Sequence, residues 1–315
     1  MNNNRSWSNY GRHVHLLKRI RSIGIVFFAI LLAGVSIFII SQVGSNIRKQ
    51  RQDLKHMWDN NDYERVYDIT KELLKEYPVD YFLLTINGFA AFKMGDSQID
   101  SQNELKYINE SIFSLRKAII QKDAKKDKNL GYIYYVLGKA YSHKGVEYAD
   151  LAVKYLEMAD RLSCDASDIP EYLGPAYADL HDYRSSVAAF AKLISPGKQP
   201  SDKLLIAIAR SYMAMEEFNT AQGYLQRCIE TSPDSMSVII SRIMLAEIYM
   251  YFNDLDSAEK QYLTILNDSG ENAQVRYQLG ELYSQKGDTT RARSEWRMAY
   301  RQDPSHAGAR ERLNI

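Results

Sequence analysis

The chain has 315 residues, with 45% hydrophobic and 25% charged residues and a net charge of +1 at pH 7. These are values of an ordinary folded protein with enough length for a sizeable core. Its two cysteines, Cys164 and Cys228, form no Cys-x-x-Cys or Cys/His cluster, which argues against a structural zinc or redox motif and leaves a disulfide open. Only 7 prolines point to a mostly helical chain, because proline inside a helix removes a hydrogen bond.

Residues 1–22 form a basic tail holding Arg5, Arg12, Lys18, Arg19 and Arg21 and no acid. With that +5 set aside, residues 23–315 carry −4, so the body is mildly acidic and unsuited to nucleic acid. Residues 23–43, IGIVFFAILLAGVSIFIISQV, are uncharged and as a helix reach about 30 Å, the thickness of a bilayer core. A cleaved signal peptide has a shorter apolar core and an A-x-A-like end, which this segment lacks. A lipoprotein needs Cys where Val35 follows Leu32-Ala33-Gly34. The segment therefore reads as a transmembrane helix, with the lipid bilayer as its partner. Arg48, Lys49, Arg51 and Lys55 follow it, tempered by Asp53. The positive-inside rule thus favours a cytoplasmic N-terminus and a translocated body, as in a single-pass protein of a bacterial inner membrane with a periplasmic body. A cytosol-facing body is the alternative.

Residues 44–130 read as two divergent copies of a helix-turn-helix pattern that is clearer downstream. The first has a turn at Asn61-Asp62 and ends at Pro78, and its first helix would run directly out of the membrane span. The second pairs Gly88 and Gly95 with a later helix around Ser111, Leu115 and Ala118, the polar stretch SQIDSQNE lengthening the turn between.

Residues 131–304 carry five regular copies. A small residue recurs at Gly138, Gly174, Ala209, Ala246 and Gly280, in steps of 36, 35, 37 and 34 residues. A tyrosine follows three places later at Tyr141, Tyr177, Tyr212, Tyr249 and Tyr283. A second helix opens on Ala152, Ser186, Ala221, Ala258 and Ala292, with a bulky residue four later at Leu156, Phe190, Leu225, Tyr262 and Trp296. A further apolar position comes at Ala159, Leu193, Cys228, Ile265 and Ala299. Small residues let paired helices approach closely, and Gly287-Asp288 makes a turn in which glycine tolerates a left-handed backbone. Pro304 ends the last copy, and Pro175 inside a first helix predicts a kink. The tail, residues 305–315, reads as a polar capping helix.

This pattern resembles the tetratricopeptide repeat (TPR) family. The resemblance implies an all-α fold, a right-handed α-solenoid of helix-turn-helix repeats after the N-terminal transmembrane helix. It also implies partner proteins in a concave groove lined by the first helices. The groove positions are Tyr132, Tyr135, Lys139, Ile206, Arg210, Met213, Ile243, Glu247, Met250, Tyr251, Tyr277 and Glu281, which either face a partner or pack between units. The family's chaperone-binding members grip a carboxylate with a Lys, Asn and Arg clamp. Here Tyr135 and Lys139 are followed by Tyr172 and then Lys203 and Ala207, so that clamp is missing.

No P-loop, GxGxxG, GxSxG or HExxH motif occurs. The six histidines lack metal-ligand spacing, and His143 and His181 fall at helix corners, where solvated side chains are expected. No catalytic residue, metal or cofactor is assigned. The reading is a membrane-anchored scaffold or adaptor of an envelope-associated complex in secretion, flagellar or envelope assembly, with self-association open. The alternatives are a cytosol-facing receptor or co-chaperone-like adaptor and, remotely, an enzyme with its site within the repeats.

Overall fold

A computed structural model describes residues 48–121, 124 and 127–315. The basic tail and the apolar span at residues 23–43 lie outside the described residues. Among the described residues no helix is long and apolar enough to cross a membrane. The described residues divide into two compact units, one ending at Pro78 and one spanning Val79–Ile315.

In the first unit, residues 48–59 are helical (α1) and α2 spans Tyr63–Glu76. Between them Asn61 takes a left-handed backbone (φ 59°), and the Asp62 carboxylate accepts from the Arg65 N–H to cap α2. Leu54, Val66 and Tyr67 are buried, and Trp58 meets Tyr63 edge-on at 4.9 Å.

The second unit is a run of helix hairpins. They are α3 (Tyr81–Asp96) with α4 (Ser101–Ile119), α5 (Leu130–His143) with α6 (Ala149–Arg161), α7 (Ile169–Asp179) with α8 (Tyr183–Ala191), α9 (Asp202–Ala214) with α10 (Phe218–Thr231), α11 (Ser235–Tyr251) with α12 (Leu255–Ser269), and α13 (Ala273–Gln285) with α14 (Thr289–Gln302). The short α15 (Ala307–Leu313) closes the run. Each helix packs on its hairpin partner and on the next helix in sequence, and first helices also touch across neighbours, as in α3 with α5, α5 with α7, and α9 with α11. This nearest-neighbour packing defines a repeat array.

Close approach within each hairpin explains the recurring small residues. A Cβ added to Gly88 would lie 2.5 Å from Leu115 Cγ, one on Gly138 2.5 Å from Leu156 Cγ, one on Gly174 2.2 Å from Phe190 Cε1, and one on Gly280 2.5 Å from Trp296 Cδ1. Ala152, Ser186, Ala221, Ala258 and Ala292 on the second helices are all fully buried. The bulky residue of one helix thus fills the notch left by the small residue of the other.

The corners are equally regular. His181, Glu216 and Asn253 take φ of 60°, 60° and 59°, and Gly287 takes 79°. The residue after each donates its N–H back to the repeated tyrosine: Asp182 to Tyr177 O at 2.9 Å, Glu217 to Tyr212 O at 2.9 Å, Asp254 to Tyr249 O at 2.8 Å, and Asp288 to Tyr283 O at 2.9 Å. This is a Schellman ending, and its last residue is already the N-cap of the next helix. Asp182, Asp254 and Asp288 accept from the N–H three residues on; Glu217 makes no such bond.

Two expectations are corrected, and one corner differs from the rest. The polar stretch after Gly95 lengthens the turn by only one residue, to 97–100, and the rest goes into the helix: α3 runs to Asp96, Asp100 caps α4, and Ser101–Glu104 become the first turn of a 19-residue helix. Leu193 is not in a second helix, because α8 stops at Ala191 before a segment containing Pro196 and Gly197. The α5–α6 corner uses Gly145 (φ 101°) and a single 3-10 turn, Val146–Tyr148, in place of the Schellman ending.

Two outcomes follow. Gly138→Ala forces Leu156 out of its rotamer or spreads the hairpin, at a cost of about 1–3 kcal/mol, read as a lowered thermal midpoint. Glu217→Asp should stabilise by about 1 kcal/mol, because Glu217 (φ −82°, ψ 57°) has nearly the backbone of the capping Asp62 (φ −83°, ψ 63°).

Candidate functional site

The position that follows the small residue on each first helix carries Lys139, Pro175, Arg210, Glu247 and Glu281. Its chemistry changes along the array, and three environments result.

At α5, Lys139 is held internally. Its Nζ donates to Asp168 Oδ2 at 3.2 Å and to Tyr135 Oη at 3.1 Å, and it lies 4.6 Å from the centre of the Tyr172 ring. Burial works against its charge, but hydrogen bonding with Tyr172 and Tyr135 outweighs it and keeps the ammonium more basic than usual. Tyr135 is itself buried and donates to Asp168 at 2.7 Å; burial first, and that bond second, push its phenol up. Neither group offers a free hydrogen-bonding end to a partner.

At α13, Glu281 is covered from within the chain. Arg312 of α15 grips it with both arms, Nε to Oε1 at 2.8 Å and Nη2 to Oε2. Along the same stripe, His306 Nε2 donates to Gln274 Oε1 at 3.0 Å and the Tyr277 ring lies against Gly308, where an added Cβ would come within 2.7 Å.

Between these lies a concavity of about 420 Å³, lined by Arg210 and Met213 of α9 and by Ile240, Ile243, Met244 and Glu247 of α11. Four of these six were assigned to the groove from sequence. Arg210 and Glu247 attract each other through space, yet no ion pair within 4 Å or hydrogen bond ties either one among the described residues. Glu247 keeps part of its surface in water, but the apolar walls still raise its carboxyl above the ordinary range, with Arg210 pulling the other way. The concavity thus combines apolar walls with two open charges of opposite sign.

The remaining predicted positions are dispersed. Ile206 is buried in the α9–α11 core. Tyr132 is exposed and meets Phe89 edge-on at 5.1 Å. Met250 accepts a long bond from Tyr262 Oη at 3.7 Å. Tyr251 sits away from the concavity at a corner, its ring 4.4 Å from Phe218 and 5.3 Å from Phe252.

His143 is the residue that spacing misplaced. Its side chain is 21% exposed, not solvated: Nδ1 donates to Glu104 Oε1 at 2.7 Å, and Nε2 lies 3.6 Å from Asp96 Oδ1. It clips α5 to the preceding hairpin. Position 39 residues from Glu104 gave no local signal. His181 does lie at an exposed corner, beside Tyr183. Among the described residues no group of three or more His, Cys, Asp or Glu is placed to hold a metal ion.

Comparison with known proteins gives the same architecture. Residues 178–315 match the family model of a tetratricopeptide repeat-like domain. The C-terminal part of a TPR repeat-containing protein from Cytophaga hutchinsonii superposes with a TM-score of 0.59 at 14% identity, covering 84% of this chain and 100% of that one. PilW, a type IV pilus biogenesis factor, gives 0.54 at 16% identity over 72% of this chain and 98% of its own. At these identities the likeness shows the fold. A stretch of 107 residues, 34% of this chain, is 22% identical to the transcription factor tau 131 kDa subunit of Saccharomyces cerevisiae and spans only 10% of that protein.

Because Glu247 holds its proton more tightly folded than unfolded, the native state loses stability as pH rises from the ordinary carboxylate range through the raised value. Glu247→Gln should therefore melt slightly higher than the parent at pH 7, and the gap should close in acid, where both side chains are neutral. Thermal melts across pH check this.

Proposed function

We propose that this protein is a membrane-anchored scaffold that holds partner proteins in the concavity between α9 and α11, within an envelope-associated complex of a bacterium. The observation that carries the binding part is the α9–α11 concavity, with apolar walls and two charges left unpaired. Both charges reach water beside the apolar walls, and a docked protein surface would supply partners for them. The repeat fold supports the same reading, since stacked hairpins present a long face of first helices. The anchor and its orientation rest on the uncharged span at residues 23–43 and its flanking basic residues. PilW, a pilus biogenesis factor of the same fold, is consonant with an envelope setting, but the likeness carries the fold alone.

The test is capture from solubilised membranes with the full-length chain. Ile243→Asp places a carboxylate in the wall of the cavity and should remove the captured partner, with circular dichroism checking that the variant is folded. Lys260→Ala, on the exposed side of α12, should leave capture intact. Full retention of every partner by a folded Ile243→Asp protein would falsify the groove.

A further inference from the structure

Outside the concavity, one helix face stands apart. On α4 the buried side, with Ile108, Ile112, Leu115 and Ala118, packs into the core. The opposite side of such a helix is ordinarily polar. Here it exposes Leu105 by 40%, Phe113 by 59% and Ile120, at the helix end, by 76%. Lys106, Arg116 and Lys117 are interleaved with them, and at about 3.6 residues per turn all six fall within an arc of about 120°. No ion pair holds any of the three cations among the described residues: Lys106 lies 5.5 Å from the centre of the Tyr107 ring, Lys117 lies 5.3 Å from that of Phe113, and Arg116 reaches toward the Tyr141 hydroxyl. The acid on this side, Glu110, is partly buried at its margin. Among the described residues, no other second helix of the second unit exposes two large apolar side chains; α14 carries Arg291, Arg293, Arg297 and Arg301 but exposes none.

We propose that this face of α4 lies on an anionic lipid surface, that of the bilayer which residues 23–43 are expected to span. This contact is independent of the concavity and rests only on the anchored reading above. Charge complementarity carries it. Residues 23–315 have a net charge of −4, so anionic headgroups repel the body as a whole, and three cations without acidic partners give it one side that they attract. Lysines set among large apolar side chains also suit lipid better than protein, since protein interfaces are depleted in lysine. On a bilayer Phe113 and Ile120 enter the boundary between headgroups and acyl chains, while Lys106, Arg116 and Lys117 extend along it to the phosphates. Each cation near an anionic surface strengthens the association about fivefold. Such a patch is weak by itself. The anchor makes it sufficient, because it holds the body at a high effective concentration of lipid.

The test places a nitroxide label at Asn109, exposed on the same side of α4, in the full-length chain reconstituted into nanodiscs. Asn109→Cys carries the label in a Cys164→Ser background, and the fully buried Cys228 stays in place. Power saturation with oxygen and with a water-soluble nickel chelate reads whether the label sits in lipid or in water. In discs of phosphatidylcholine and phosphatidylglycerol, nickel access at 109 should be several-fold lower than at Lys260→Cys, on the exposed side of α12. Lys106→Glu, Arg116→Glu and Lys117→Glu together should raise it to that level, as should discs of phosphatidylcholine alone. Nickel access at 109 as high as at 260 in the anionic discs overturns the inference, and so does protection that survives the charge reversal. Dipolar broadening between labels would give the face to a second copy of the chain. Protection that appears only when a membrane extract is added would give it to another protein, and either result overturns the inference. A label at Ala33→Cys separates the two readings. Lipid exposure there with water exposure at 109 leaves the anchor standing without this contact, whereas water exposure at 33 removes the anchor and the contact with it.

Discussion

Every hairpin of the second unit depends on one contact: a small residue on the first helix against a large one on the second. At Gly174 the space available to a Cβ is only 2.2 Å from the Phe190 ring, and at Gly280 it is 2.5 Å from Trp296. Helices this close leave no room for water between them, so the bulky side chain is buried and its fit fixes the position of both axes. Where alanine replaces glycine, as at Ala209 and Ala246, the contact remains fully buried. The corners add to this constraint. A tyrosine carbonyl accepts the N–H of the residue that caps the next helix, so the end of one helix and the start of the other share two residues. The hairpin angle then follows from local chemistry.

This regularity was legible in the sequence because it is local. Periodic small residues, the tyrosine three places on, and Gly287-Asp288 all signal through fixed spacing. The same logic failed where the chain departs from the period. Glu104 became a helix residue because Asp100 supplied a cap that the polar stretch concealed. The second helix after Phe190 ended early because Pro196 and Gly197 follow it too closely. Pro175, expected to kink its helix, lies inside α7, Ile169–Asp179, one of the shorter first helices.

The groove was legible only in part. Register identified Arg210, Met213, Ile243 and Glu247, since the residue after a small one and its neighbours share a helix face. Register could not say which of these faces stay open. Tyr135 and Lys139 turn to Asp168, 33 and 29 residues away, and close their own site. Tyr277 and Glu281 are taken by α15. Such long-range pairings between unlike side chains leave no periodic trace. His143 belongs to the same class: its two carboxylates come from α3 and α4. The residue types were visible, and the partners were not.

Packing only on sequence neighbours has a consequence for motion. A contact map without distant pairings imposes little loop-closure entropy, so hairpins can form and open as separate steps along the chain. Opening then costs least where a helix is short and buries few side chains. In the second unit that helix is α15, seven residues seated by Ala309, Leu313 and the Arg312–Glu281 pair. Its release would uncover Tyr277 and the edge of the Trp296 ring without disturbing the hairpins behind it. Amide exchange along the second unit would then be graded, with α15 faster than the hairpins it leans on.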